Sequence, residues 1–421
     1  MNKKEIYSKF ITAILCITPV IITPFFQDYF YFSKIFFVML LSSVAGIYWF
    51  LNRDGESLNL HISEKIITVY YVLVIVSTFL SINVSRSIWG IERREEGIFT
   101  ITLYIFLYFF SRRKYNFSKK HVKFLLISSS IVALYGIFQY FGFDPIPRDV
   151  IRVNWQGRAF STMGNPNFLG AYLTLILPIA SYVYVSSKEK FKIFYPGLIY
   201  LGLLTTMTRG SWLGGFASIG FLTYFLIKEK ENHKYLLRLF FLFGIVTLIM
   251  NFHSGGRIIG RFLTIGGDIQ NVMVQGEAYE RSGASRIFIW ERVIVLIKES
   301  PIFGYGIETL DIAFIKRFLG DILNHFGGIR LIDKAHNEFL HIAVSSGIPA
   351  LITYLVFIGY IVKSALAHIK NNRIVLPLLS SIIAYLVQSF FNISVVSVVY
   401  IYWVFLGILM KYSIDTKNVF N

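Results

Sequence analysis

The chain has 421 residues, 55% of them hydrophobic, 17% aromatic and only 15% charged, and its mean hydropathy is +0.59. Such a composition excludes an ordinary water-soluble globular domain, which would expose large apolar patches. Cys16 is the only cysteine, which excludes an internal disulfide and a cysteine metal site. The net charge of +17 has no basic groove or domain to sit on, so it does not indicate nucleic-acid binding.

A helix needs about 20 apolar residues to cross the hydrocarbon core. On that measure the sequence predicts an all-α polytopic membrane protein, a single integral domain over 1–421. About twelve spans are expected, near Phe10–Phe26, Ile35–Leu51, Ile66–Ile82, Ile98–Phe110, Val122–Phe141, Phe168–Val185, Ile193–Thr206, Ser211–Ile227, Leu236–Met250, Ile348–Leu366, Ile374–Phe391 and Val395–Met410. The fourth and seventh are short. The N-terminus has the basic start and apolar run of a signal peptide but no small-x-small cleavage site, and it reads as a retained first span.

Placing both termini in the cytoplasm puts 23 Lys and Arg inside and 18 outside, in the direction of the positive-inside rule. Residue type separates the faces further. The inner segments hold 18 Lys and 5 Arg, the outer ones 4 Lys and 14 Arg, with 16 acidic residues also outside. Lysine is a hydrated point charge suited to an anionic inner leaflet, whereas the arginine fork suits bidentate contact with phosphate. The outer face therefore suggests a phosphorylated ligand; simple packing of arginines in the outer loops is the alternative.

Four outer segments follow in chain order. "SINVSRSIWGIERREEGIFT", Ser81–Thr100, carries Arg86, Arg93 and Arg94 among acidic residues, so a loop that neutralises itself is expected. "RVNWQGRAFSTMGNPNFLGAYL", Arg152–Leu173, offers Arg158, Asn165 and Asn167 as candidate substrate contacts. Its asparagines either bond sugar hydroxyls or, the preferred reading, cap a helix at the "GNPN" turn. "TTMTRGSWLGG" places Arg209, the one charged residue between Lys192 and Lys228, at the tip of two joined spans. A charge there is costly unless it reaches water or an anion.

The longest outer segment, 251–347, exceeds an ordinary connection and is expected to be functional and to contain amphipathic helices. Ser285–Glu299 predicts one such helix, capped by Ser282 or Ser285 and ended by Pro301, with Arg286 on its polar flank. "KAHNEFLHIAVSSGIP", Lys334–Pro349, predicts a short helix starting near His336 and leading into the next span. His336 is the candidate base, with Asn337 and Glu338 beside it to orient it or bind sugar.

Other chemistry lacks its residues. No GxxxxGK[ST] phosphate loop occurs. His336 and His341 are five apart rather than the four of a zinc-binding HExxH helix, and no Asp-x-Asp or Gly-x-Ser-x-Gly motif is present. No cofactor and no metal is expected.

"TMTRGSWLG" (Thr206–Gly214), "SRIFIWERVIVLIKESPIFGYGIETL" (Ser285–Leu310) and "AHNEFLHIAVSSGIPAL" (Ala335–Leu351), in that order, resemble the O-antigen ligase and O-antigen polymerase superfamily. The resemblance spans roughly 82–355. It implies a multi-pass enzyme of the cytoplasmic (inner) membrane that transfers a glycan from undecaprenyl pyrophosphate, on the outer face, to an acceptor hydroxyl. The acceptor would be a glycan, glycolipid, protein or wall polymer for a ligase, and the next lipid-linked repeat for a polymerase; ligase is the preferred expectation. By the same resemblance Arg209 and Arg286 would hold the pyrophosphate and His336 would act as base, without metal and with inversion. A twelve-span transporter or flippase of lipid-linked glycan is the rival of another class. It predicts charge or helix breaks near the midplane, whereas the polar residues here gather at the outer end.

Overall fold

The structure is a computed structural model, and it describes residues 3–23, 28–52, 59–92, 94–146, 155, 157–264 and 282–414. Among these residues it is all-helical, with no strand. In chain order the helices are α1 (Lys3–Cys16), α2 (Phe32–Leu51), α3 (Ile62–Phe79), α4 (Val84–Trp89), α5 (Ile98–Lys114), α6 (Lys119–Tyr140), α7 (Pro166–Ser187), α8 (Phe194–Thr205), α9 (Arg209–Leu226), α10 (His233–His253), α11 (Ser282–Glu299), α12 (Leu310–Phe326), α13 (Glu338–Ser346), α14 (Ile348–His368), α15 (Val375–Ser389) and α16 (Val399–Tyr412). A further stretch, 257–264, is also helical. Helices satisfy their own backbone hydrogen bonds, which lipid cannot do for them.

Each of the twelve predicted windows contains a helix. Among the described residues, six helical segments are long and apolar enough to cross a membrane, by length and composition: Phe32–Leu51, Ile62–Phe79, Lys119–Tyr140, Pro166–Ser187, Lys230–His253 and Ile348–His368. The first predicted window is covered only in part by α1, which gives way to a 3-10 turn at Thr18–Val20; its end falls outside the described residues.

α7 is the centre of the bundle. It is buried on nearly every face, as expected of a helix that is apolar all round. It packs against α8, α9 and α15, while α9 and α15 pack closely on each other. Gly214 permits that approach, because a Cβ there would lie 2.5 Å from the Ala384 carbonyl oxygen. α7 begins beside the Arg209 turn, and its 22 residues span about 33 Å at about 1.5 Å per residue, so its two ends mark opposite faces.

The segment after α10 builds a small apolar core of its own. Phe288, Val293 and Leu296 of α11 meet Leu310, Phe314 and Ile322 of α12, with Ile332, Ala335 and Val344 closing the cluster. The predicted amphipathic helix therefore exists, but it starts at Ser282, and Ser285 lies inside it at φ 64° rather than at its cap. The Tyr305 and Gly306 amides donate to the Val344 and Ser345 carbonyls, and the Ser77 hydroxyl donates to the Ser345 carbonyl at 2.8 Å. The first two bonds tie the segment to itself, and the last seats it on α3.

Gly347 turns the chain from α13 into α14 at φ 87°, where a side chain is strained, and a Cβ would run into the Ile302 carbonyl. Gly347→Ala is expected to lower the thermal midpoint in detergent, through at least about 1–3 kcal/mol of backbone strain plus the displaced loop. An unchanged midpoint would show that this turn does not fix α13.

Candidate functional site

The Arg209 turn is built by its own backbone. α8 ends at Thr205, Met207 takes a φ of 51°, and α9 starts at Arg209. Two arginines from other segments clasp this turn. Arg158 donates through Nε to the Thr206 carbonyl at 2.9 Å, and through Nη2 to the Asn167 side-chain oxygen at 3.1 Å and the Thr208 hydroxyl at 3.0 Å. Arg261 donates to the Met207 carbonyl. Arg209 itself donates to the Thr264 hydroxyl at 2.9 Å.

Neighbouring arginines act on Arg158 and on Arg261. Burial, then Arg261 and Arg286, lower the Arg158 pKa to about 10. Burial, then Arg209 and Arg257, lower that of Arg261. Guanidiniums that depress one another's pKa lie close together at a Coulombic cost, and an anion placed among them would offset it.

His336 stands at the other end of the same field. Burial, then Arg286, lower its pKa to about 4, with Arg94 and Arg330 adding to the effect and Asp333 opposing it. The imidazole is therefore neutral at pH 7 and can accept a proton. Arg286 acts on both His336 and Arg158, so it links the two halves of the site. Asp333 is held by Arg94 at 2.7 Å; burial works against its charge, yet Arg94 keeps its pKa below the ordinary value.

His336 has a left-handed backbone, φ 51°, and its neighbours pin it there. The Ala335 carbonyl accepts from the Trp290 indole at 2.9 Å. Asn337 caps α13, its side-chain oxygen accepting from the Phe339 and Leu340 amides at 3.0 and 3.1 Å. Lys334 is buried and donates to Glu96 at 2.9 Å and to Glu308 at 2.5 Å. Although burial opposes it, those carboxylates hold the Lys334 ammonium above its ordinary pKa.

Lys334, Glu96, Glu308 and Glu338 line a small pocket of about 70 Å³ with Tyr104 and His341. Burial, then Glu96, raise the Glu338 pKa to about 8, so Glu338 is a neutral acid at pH 7. Three carboxyls around one lysine cannot all ionise cheaply away from water. Lys334→Met would strand Glu96 and Glu308 without a cation. It is expected to cost about 3–5 kcal/mol of stability, read as a large fall in thermal midpoint, with Lys334→Met/Glu308→Gln recovering part of it. If the double variant is as unstable as the single one, the ion pair is not what fixes the loop.

The structure thus gathers His336, Arg286, Arg158 and Asn167, and reaches Arg209 through Arg261. It does not gather the others. Asn165 caps α7, accepting from the Asn167 amide at 2.8 Å; Asn337 is likewise a cap; and Glu338 faces the buried chamber rather than His336. Self-neutralisation of the Ser81–Thr100 loop does not extend to three of its charges, which pair outside it: Arg86 with Asp311 at 3.0 Å, Arg94 with Asp333, and Glu96 with Lys334. Arg93 lies outside the described residues. Sequence reasoning missed Arg257 and Arg261, although their spacing puts both on one helix face, and it missed Arg330 and Lys334.

Comparison with known proteins adds to this geometry. Residues 194–355 match the family described as O-Antigen ligase. A General O-oligosaccharyltransferase of Acinetobacter baylyi is 22% identical over 315 residues, 72% of this chain and 49% of the relative; the chain thus spans about half of that protein's length. An uncharacterized protein of Haemophilus influenzae is 22% identical over 346 residues, 78% of this chain and 80% of the relative.

Proposed function

Residues 194–355 match the O-antigen ligase family, and from that match we propose that the chain moves a glycan from undecaprenyl pyrophosphate to an acceptor hydroxyl at the outer face of the cytoplasmic membrane. In this reading the twelve windows are spans, both termini are cytoplasmic and 251–347 is extracytoplasmic.

One observation carries the donor class: the arginine cluster stands over an apolar cavity. Arg209 and Trp212 lie about one turn apart on α9, and Arg261 adjoins Phe262. The Trp212 and Phe262 rings stack at 4.7 Å and line a cavity of about 510 Å³ with Leu177, Tyr200, Phe216 and Phe243. Cations above an apolar recess suit an amphiphile with an anionic head and a long hydrocarbon tail.

The acceptor oxygen attacks the anomeric carbon. Its bond to that carbon forms as the carbon–oxygen bond to pyrophosphate breaks, and the electron pair leaves with the pyrophosphate. His336 takes the acceptor's proton. Arg158, Arg209, Arg261 and Arg286 stabilise the departing anion, which is a good enough leaving group to need no strong acid. Direct displacement inverts the anomeric carbon. The low pKa of His336 reflects burial and then arginines that the pyrophosphate would neutralise, so donor binding strengthens the base. The name of the Acinetobacter relative supports an O-linked acceptor.

The test uses purified protein in lipid with a defined undecaprenyl-pyrophosphate glycan, without metal or nucleotide. A single mass shift on an added acceptor, with release of undecaprenyl pyrophosphate, is the expected result. A ladder of longer lipid-linked glycans would reassign the chain as a polymerase. An intact donor that crosses the bilayer would make it a transporter.

A further inference from the structure

A second cavity, of about 960 Å³, lies at the far end of α7 from the arginine cluster. Lys119 and Lys123 at the start of α6, Lys192 in the turn before α8, and Arg373 between α14 and α15 converge on it, against a single carboxylate, Glu189. Glu189 is engaged by Lys192 at 2.7 Å, so it does not balance Lys119 and Lys123.

The start of α6 adds a second source of positive potential. A helix N-terminus carries a partial positive charge that favours acidic residues, yet here Lys119, Lys120 and Lys123 occupy the first turns. Ser118 at the cap position makes no side-chain cap bond; its hydroxyl meets His121 instead, at 2.9 Å. The local sequence thus stacks cations on a helix end that already repels them.

The remaining walls decide between a soluble anion and an amphiphile. Val122, Leu126 and Val183 line the cavity, and Phe191 and Phe194 stand on its rim, 94% and 60% exposed. A free phosphate would leave that apolar lining wet. A phospholipid would set its phosphodiester among the basic side chains and lay its chains along Val183, Phe191 and Phe194. α6 and α7, which form two walls, are both long and apolar enough to cross a membrane.

We propose that the cavity between α6, α7 and the Glu189–Lys192 turn binds the headgroup of an anionic phospholipid, on the membrane face opposite the transfer site. The lipid bridges α6, the Glu189–Lys192 turn and the connection between α14 and α15, each of which brings a cation to the cavity.

The experiment takes full-length, delipidated protein in a neutral detergent and adds phosphatidylglycerol, phosphatidylcholine or inorganic phosphate. Native mass spectrometry reads bound lipid, and thermal unfolding reads the stabilisation. Phosphatidylglycerol is expected to bind and raise the midpoint, whereas the other two do not. Lys119→Gln/Lys123→Gln removes two exposed cations without touching the core. Each lysine beside an anionic surface is worth about fivefold in affinity, so the pair is expected to weaken binding roughly thirtyfold. Equal binding of phosphatidylcholine, or full retention by the double variant, would overturn the proposal. An equal effect of inorganic phosphate would overturn the lipid assignment and leave a phosphate site. None of these outcomes depends on glycan transfer.

Discussion

His336→Asn is expected to lower glycan transfer by about 10² to 10⁴, the range for loss of a general base. Asparagine tolerates a left-handed backbone better than most residues, so it keeps the φ of 51° and the helix that follows while removing the proton acceptor. Transfer is read as glycan-modified acceptor per molecule of folded, membrane-inserted protein. More than a tenth of wild-type rate would remove His336 from the chemistry. The pH profile is a second reading of the same group. Activity needs the neutral imidazole, so it falls as pH drops through the His336 pKa. In the free protein that value is about 4, against 6.5 for an ordinary histidine, because burial and then Arg286 depress it. The acid limb of kcat/KM is expected well below 6.5. That of kcat is expected higher, because bound pyrophosphate offsets the arginines. Coincident limbs near 6.5 would mean that His336 does not sit in this cationic field.

Arg286→Ala is expected to reduce transfer by about 10² to 10³, comparable to losing one preorganised donor to a developing anion. It carries a signature that simple damage would not produce. Arg286 is the largest charge acting on His336, and it also acts on Arg158. Its removal raises the His336 pKa, so the acid limb of the residual activity moves to higher pH. Arg286→Lys keeps the charge but not the fork, and should restore the pH profile more fully than the rate. Arg209→Ala is expected to lose a similar factor in rate with little movement of the acid limb, because Arg209 acts on Arg261 rather than on His336. A shifted limb in Arg209→Ala, or none in Arg286→Ala, would contradict the order in which these side chains are arranged.

The apolar windows, Pro301 after α11, Pro349 at the start of α14 and the asparagine at the "GNPN" cap were all legible in the sequence. Each is a local matter: helix length, apolar content and capping are decided within a few residues of the chain. Arg209 was conspicuous for a similar reason, as a lone charge between two apolar runs. Residues whose meaning lies in a partner far along the chain were not legible. Lys334 meets Glu96 across 238 positions, and Arg158 reaches the Thr206 carbonyl across 48. Glu338 lies two positions from His336 in sequence, yet the first turn of α13 carries it into a chamber lined by distant carboxyls. Coulombic fields and burial act through space, and only the packing of α7, α9 and the segment from α11 to α13 sets which charges share that space. The sequence by itself determined a helical chain with a histidine and arginines gathered in the segments between its apolar runs. Tertiary structure alone decided that Arg286 joins His336 to the arginine cluster, and that Lys334, with Ala335 and Asn337, holds His336 in place.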